Sequence, residues 1–137
     1  MTDAHQIRTV PDPYAPFRIA QGYRVGDLIF LSGQAALSET GAVVGPGDFD
    51  TQAEQTFANI KVLLEAAHSS LSQVVKVTIY LTDMAYFPRI VDLRGRYFQP
   101  PWPADTIVEV RALALPDLMI EIDVIALASG RLVAATP

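Results

Sequence analysis

The spacing of apolar residues predicts an amphipathic helix over residues 51–67. Apolar side chains recur there every three or four positions, which is the period of one helix face. The apolar positions are Ala53, Phe57, Ile60, Leu64 and Ala67. The polar side chains lie largely on the other face; they are Gln52, Glu54, Gln55, Asn59 and Lys61. We expect Asp50 or Thr51 to cap the N-terminus of this helix.

A second helix is predicted from Asp83 to about residue 98. Pro88 falls in its first turn, where a missing backbone N–H costs little. The predicted packing side consists of Phe87, Ile90, Val91 and Phe98. The proline-rich segment 99–103 then ends the helix.

Strand patterns fill most of the remaining chain. Residues 17–23 and 28–31 predict a hairpin whose turn, residues 24–27, contains a Gly-Asp pair. Residues 74–81 are β-branched and almost continuously apolar, which predicts a central strand buried on both faces. Residues 106–112 and 119–127 alternate around Pro116 and Asp117, which predicts a second hairpin.

Three segments show no clear period. The N-terminal arm, residues 1–16, contains three prolines and is predicted to be an extended segment outside the packed domain, which would start near residue 17. Residues 32–50 predict a looped excursion with at most one short strand. The tail after residue 128 has no pattern.

This order of elements predicts one α+β domain spanning residues 1–137. Two helices would cover one face of a single mixed sheet. The chain offers no further helix for the other face. We therefore expect that face to be buried against other copies of the chain, in a homotrimer.

Composition narrows the function classes. Only 18% of the 137 residues are charged, against about 25% in a typical domain, which favours an oligomer. The net charge of −5 without a Lys/Arg cluster argues against a nucleic-acid partner. There is no cysteine, and His5 and His68 lie far apart, so we expect no metal site and no cofactor. Neither a signal peptide nor an 18-residue apolar run is present, so a cytoplasmic protein without a membrane partner is expected.

Four segments together, residues 22–34, 59–67, 74–84 and 108–126, resemble the RidA/YjgF family of reactive-intermediate deaminases. The resemblance implies a chorismate-mutase-like subunit. Three such subunits close their sheets into a central barrel and bind small molecules in clefts between them. It also implies cofactor-free hydrolysis of enamines and imines to a keto acid and ammonia.

The chain departs from the family pattern at four positions. Family members carry a Pro-Ala-Arg-Ser/Thr motif whose arginine binds the substrate carboxylate, whereas this chain reads Pro103-Ala104-Asp105-Thr106. A carboxylate there would repel an acidic substrate, so we expect the usual 2-imino acids to be excluded. The positions of the family's pocket tyrosine, helix asparagine and strand cysteine hold aliphatic residues here, namely Ile19, Val91 and Ile107.

Four further interpretations concern the remaining site residues. The resemblance implies that the Gly33 backbone holds substrate and that Glu121 lies near the reactive water. Glu121 would activate that water, or it would pair with a neighbouring cation. Asp105 would bind a cationic amine or act as a general base; alternatively it is a surface or ion-paired residue. Arg111 is predicted to lie opposite Glu121 in the second hairpin and to form a cross-strand ion pair, with a role in substrate binding left open.

These observations favour a trimeric enzyme that deaminates a neutral or amine-bearing enamine, imine or related intermediate, using Glu121, Asp105 or both. The alternative is a non-catalytic trimer that binds a small apolar ligand or a protein, with Ile19, Val91 and Ile107 filling the cleft. Cleavage of RNA ranks last because the chain is acidic and has no basic groove.

Overall fold

A seven-stranded mixed sheet with two helices on one face forms the body of the molecule, in a computed structural model that describes all residues 1–137. The strand order is β1-β2-β3-β7-β5-β6, and β4 also pairs with β7. The strands are β1 (Ala4–Ile7), β2 (Gly22–Val25), β3 (Leu28–Leu31), β4 (Gln34–Ala35), β5 (Val74–Leu81), β6 (Ala104–Glu109) and β7 (Ile120–Leu127). The helices are α1 (Phe49–Ala66) and α2 (Phe87–Tyr97). The predicted α+β fold is confirmed, and neither helix has the length and apolar character needed to cross a membrane.

The pairing of the last two strands corrects the second predicted hairpin. β6 pairs in parallel with β5, and β7 pairs antiparallel with β5 on its opposite edge, so β5 separates the two strands. The long connection through α2 brings the chain back for a parallel pairing, which a tight turn cannot do. Alternation along residues 106–112 and 119–127 identified strands correctly but carried no information about their partners.

The N-terminal region also differs from its prediction. β1 lies within the arm and pairs with β2, so the domain includes residues that were expected to lie outside it. Residues 17–21 are not strand, since a 3-10 turn spans Ala15–Phe17 and β2 begins at Gly22. The hairpin itself is confirmed from β2 to β3, with Gly26 and Asp27 in the turn.

Both predicted helices are confirmed, although their first residues, the N-cap of α1 and the packing side of α2 differ from the prediction. α1 begins at Phe49, and its N-cap is Asp48, whose carboxylate accepts a hydrogen bond from the Thr51 N–H at 3.1 Å. A 3-10 turn at Met84–Tyr86 precedes α2, whose expected packing residues divide between core and surface. Those in the core are Ile90 and Phe98, and those exposed to solvent are Phe87 and Val91.

The hydrophobic core lies between the helices and the covered face of the sheet. Phe57 of α1 stacks on Tyr97 of α2 with ring centroids 4.1 Å apart, which joins the two helices above the sheet. A continuous group of 19 buried side chains fills the layer beneath them. Burial of this size, at about 25 cal/mol per Å² of apolar surface, is the main force holding the layers together.

The opposite sheet face is open. Along β7, the residues Ile120, Ile122, Val124 and Ala126 are buried while those between them are only half-buried. β5 shows the same one-sided burial, so its expected burial on both faces is not observed in the single chain. Tyr23 and Phe30 are each 41% exposed there, which leaves large apolar side chains uncovered.

Gln52 connects α1 to the segment that leads into β7. It was placed on the polar side of the helix, yet it is fully buried. Its amide nitrogen donates to the carbonyls of Gly45 and Asp117 at 3.2 and 2.7 Å, and its oxygen accepts from the Met119 N–H at 2.8 Å. One side chain thus satisfies three backbone groups of two loops.

We predict that Gln52→Met lowers the free energy of unfolding by about 1–3 kcal/mol, because a side chain of similar size leaves buried backbone groups without partners. Urea unfolding measures the loss. Lys61→Met, at an exposed site of the same helix, should change stability by no more than about 0.5 kcal/mol. Equal effects of the two substitutions would show that the Gln52 hydrogen bonds contribute no net stability.

Candidate functional site

A mostly apolar cavity of about 300 Å³ surrounds the carboxylate of Glu121, and we call it the Glu121 cavity. It lies where β3 and β4 meet β7, beside the 3-10 turn at Ala15–Phe17. The lining residues that matter here are Tyr14, Ile19, Gly33, Leu115, Leu118 and Glu121. Three predicted site residues therefore lie together in one cavity.

Glu121 reaches this cavity because of the alternation of β7. Its neighbours Ile120 and Ile122 point into the core, so Glu121 projects from the opposite, open face of the sheet. No donor or cation of the chain hydrogen-bonds or pairs with its carboxylate. Burial, and secondarily the negative charge of Asp123, raise the pKa of the Glu121 carboxyl above its usual value. The result is a carboxylate with increased basicity and no partner within the chain.

Gly33 makes room for that carboxylate. A β-carbon placed on Gly33 would lie 2.6 Å from Oε2 of Glu121 and 2.9 Å from its Cδ, far inside normal contact distance. Glycine at this position therefore allows the Glu121 carboxylate to approach the backbone as closely as it does.

Tyr14 is a site residue that sequence reasoning missed. Its hydroxyl donates a hydrogen bond to the carbonyl oxygen of Gly33, and the Asp12 side chain accepts from its backbone N–H at 2.9 Å. Burial, followed by the nearby charge of Glu121, raises the pKa of Tyr14 to about 12. The phenol is thus neutral at physiological pH and holds the Gly33 peptide in place. The only sequence signal was an aromatic residue among prolines in the arm.

Two further predicted residues, Asp105 and Ile107, line a second surface cavity of about 410 Å³, which we call the Arg94 cavity. It lies between α2 and β6, and its lining residues are Phe87, Arg94, Phe98, Trp102, Pro103, Asp105 and Ile107. Within it, Arg94 donates from Nε and Nη2 to the two carboxylate oxygens of Asp105, both at 2.9 Å. The ion-paired alternative for Asp105 is the one observed.

The two cavities lie on different faces of the sheet. Glu121 is paired with Tyr80 on the open face, whereas Asp105 is paired with Val77 on the face toward the helices. A single chain therefore does not bring Glu121 and Asp105 together. Val91 lines neither cavity and is exposed on α2.

The predicted ion pair between Arg111 and Glu121 is absent. Arg111 follows β6 in an exposed loop, and β5 lies between β6 and the strand that carries Glu121. The prediction was wrong because it depended on the hairpin that the sheet does not contain. The three ion pairs of the chain are Arg89–Asp50, Arg94–Asp105 and Arg96–Glu54.

Potential metal ligands are dispersed over the molecule. His5 lies on β1 opposite Arg24, and His68 follows α1. No three His, Asp or Glu side chains converge in a cluster with metal-binding geometry.

The raised pKa of Glu121 predicts a pH-dependent effect of Glu121→Gln on stability. Because the folded-state pKa lies above that of the unfolded chain, ionisation of Glu121 destabilises the fold as pH rises through this interval. The variant should match wild type at a pH below the usual carboxyl pKa and become the more stable protein at neutral pH. Urea unfolding across this pH range measures the difference. Glu65→Gln, at an exposed site on α1, is the control, and an equal pH trend in both variants would contradict the prediction.

Gly33→Ala should move the Glu121 carboxylate with little loss of stability. The atoms that the new methyl group meets are at the end of a flexible side chain, so the carboxylate yields before the backbone does. A crystal structure of the variant, with thermal unfolding, checks both parts. Gly95→Ala, where a β-carbon meets nothing within 4 Å, should stabilise the protein by up to about 1 kcal/mol. An unmoved carboxylate in Gly33→Ala would contradict the prediction.

Comparisons with known proteins agree with this architecture. The family model described as Endoribonuclease L-PSP matches residues 8–128. A RutC family protein of Pyrococcus horikoshii is 40% identical over 117 residues, which is 85% of this chain and 90% of the relative. A 2-iminobutanoate/2-iminopropanoate deaminase of Dermatophagoides farinae is 35% identical over 103 residues, or 75% and 79% of the two chains. The crystal structure of RidA from an Antarctic Psychrobacter bacterium matches with a TM-score of 0.82 and 34% identity, over 90% of this chain and 98% of that one. The chain therefore belongs to the Endoribonuclease L-PSP family, which is the RidA/YjgF/RutC family that its sequence resembles.

Proposed function

We propose that the protein hydrolyses the carbon–nitrogen bond of a small enamine or imine, with Glu121 as the general base that activates water. The observation that carries this proposal is the unpartnered Glu121 carboxylate in a mostly apolar cavity. A relative named as a deaminase of two 2-imino acids supports the same class of chemistry. The proposed step uses Glu121 and water alone and invokes no metal or organic cofactor.

The chemistry follows from the position of one carboxylate. Glu121 takes a proton from water while the water oxygen bonds to the imine carbon and the C=N electron pair moves to nitrogen. The protonated carboxyl then returns its proton to nitrogen, which gives a neutral carbinolamine. The Glu121 carboxylate next takes the hydroxyl proton of this intermediate and passes it to nitrogen. The C–N bond breaks, ammonia leaves with its electron pair, and the oxygen completes the C=O group. An enamine enters the same route after protonation of its carbon.

Gly33 and Tyr14 would help to position the substrate. One lone pair of the Gly33 carbonyl accepts the Tyr14 hydroxyl, and the second is available to accept an N–H of the substrate. Such a contact would hold the imine nitrogen close to the Glu121 carboxyl. Tyr14 is then a positioning residue that fixes the carbonyl.

The proposal includes a homotrimer with the reaction site between subunits. Two observations support it: the open sheet face leaves Tyr23 and Phe30 uncovered, and five of the seven predicted site residues are divided between two cavities that one chain does not join. A neighbouring subunit would cover the open sheet face, and it would place its own Arg94 cavity beside the Glu121 cavity.

The structure changes the expected substrate class. Exclusion of 2-imino acids required an unpaired carboxylate at Asp105, and that carboxylate is paired with Arg94. Acidic imines are therefore candidate substrates of the proposed enzyme, as neutral and amine-bearing imines are.

A non-catalytic ligand-binding trimer is the alternative, favoured by the apolar walls of the Glu121 cavity. Within the single chain, however, Ile19 is 49% exposed and does not fill the cavity that it lines. An open cavity with a basic carboxylate fits water activation better than a filled cleft does.

We predict that Glu121→Gln lowers kcat/KM for imine hydrolysis by about 100-fold or more, because a positioned general base contributes about that factor. Ammonia release from imines formed in situ measures the rate, with acidic imines generated by an amino-acid oxidase and neutral imines generated by an amine oxidase. Glu65→Gln, an exposed carboxylate on α1, is the matched control and should retain wild-type activity. No turnover of any imine by the wild-type protein would leave ligand binding as the function.

A further inference from the structure

The ion pair with Asp105 uses only two of the N–H donors of the Arg94 guanidinium. Nε–H and one N–H of Nη2 bond to Asp105, which occupies one edge of the planar group. An arginine carries five N–H donors, so three remain. The second N–H of Nη2 and one N–H of Nη1 are parallel and form a second edge of the group. No acceptor in the chain bonds to that edge.

The Arg94–Asp105 pair differs from the other two ion pairs in its surroundings. Its side chains are 29% and 18% exposed, whereas those of Arg89–Asp50 and Arg96–Glu54 are all more than half exposed. Exposed pairs contribute little because water screens them and their side chains move. The less exposed Arg94 pair holds its guanidinium in one orientation within the Arg94 cavity.

Aromatic and apolar groups line the rest of this cavity. The Arg94 Cζ lies 5.9 Å from the ring centroid of Phe87, within the range of a cation–π contact. The side chains of Phe87 and Trp102 are exposed, and Pro103 and Ile107 complete the apolar lining. An oriented donor edge beside apolar walls suits a molecule with an anionic end and an apolar body.

We propose that the free edge of Arg94 binds the carboxylate of a small apolar acid in the Arg94 cavity. A guanidinium edge matches a carboxylate with two parallel hydrogen bonds, and this geometry survives even though Asp105 cancels the net charge. Asp105 is a positioning residue that fixes the edge. Helix α2 thereby supplies the guanidinium that the strand motif lacks. This inference adds to the proposed function that the imine substrate carries a carboxylate. Binding of the carboxylate stands by itself, and only turnover of such a substrate rests on the proposed function.

Binding of benzoate and of its neutral analogue benzamide tests the proposal without turnover. NMR titration of the wild-type protein should show benzoate bound at millimolar concentration or tighter, and benzamide bound at least about tenfold more weakly. Arg94→Gln/Asp105→Asn keeps the formal net charge and should weaken benzoate binding by about tenfold or more. Arg94→Lys keeps the charge but loses the planar edge, and should also weaken it.

Matched controls separate this site from general charge effects. Arg96→Gln/Glu54→Gln removes an exposed ion pair between α2 and α1 and should leave benzoate binding unchanged. Asp105→Ala should remove the exchange protection of the Arg94 Nε–H signal, and Asp105→Glu should restore it. Size-exclusion chromatography of every variant checks that the assembly state is the same.

The outcomes separate this inference from the proposed function. Benzoate binding that depends on Arg94, without turnover of any imine by the wild-type protein, would support this site and contradict the proposed enzyme. Turnover of imines with benzoate binding equal in wild type and Arg94→Gln/Asp105→Asn would overturn this inference alone. Absence of benzoate binding to the wild type, or equal binding of benzamide, would also overturn it.

Discussion

The central position of β7 determines both the fold and the chemistry. The strand is hydrogen-bonded on both edges, to β3 and β4 on one side and to β5 on the other. Its alternate residues must fill the core, and the period of two then directs Glu121 and Asp123 to the same open face. Burial raises the pKa of the Glu121 carboxyl most, and repulsion by the Asp123 carboxylate on the same face adds to the effect. The basicity of Glu121 is thus a product of sheet geometry.

Much of the fold follows from local patterns in the sequence. β3 and β5 have the predicted bounds, because short apolar and β-branched runs have few alternatives to a strand. β1 was missed because Ala4–Ile7 has no alternating pattern of its own and is held by pairing with β2. The predicted hairpin of residues 106–112 and 119–127 is wrong for the same reason, since the partner of a strand depends on how the whole sheet assembles. The predicted Arg111–Glu121 ion pair depended on that hairpin and is wrong as well.

The candidate site was predicted only in part, for physical reasons. Gly33 and Glu121 belong to segments that resemble a known family, and the structure places them in contact. Tyr14 acts through a turn in the proline-rich arm, where no periodic signal exists. Arg94 is one of three arginines on α2, and its sequence gives no sign that it meets Asp105 while the other two meet exposed carboxylates on α1. Such contacts depend on how helix and strand pack.

The Arg94–Asp105 ion pair joins helix α2 to strand β6. Replacement of either residue alone would leave a charge partly buried without its counterion, which is costly. An exchange of the two residues would preserve the pair. Substitution at one position is therefore constrained by the other, and the two should change together during divergence. Among related chains, an acidic residue at position 105 should accompany a basic residue at position 94. The charge of the cavity therefore cannot be inferred from either position alone.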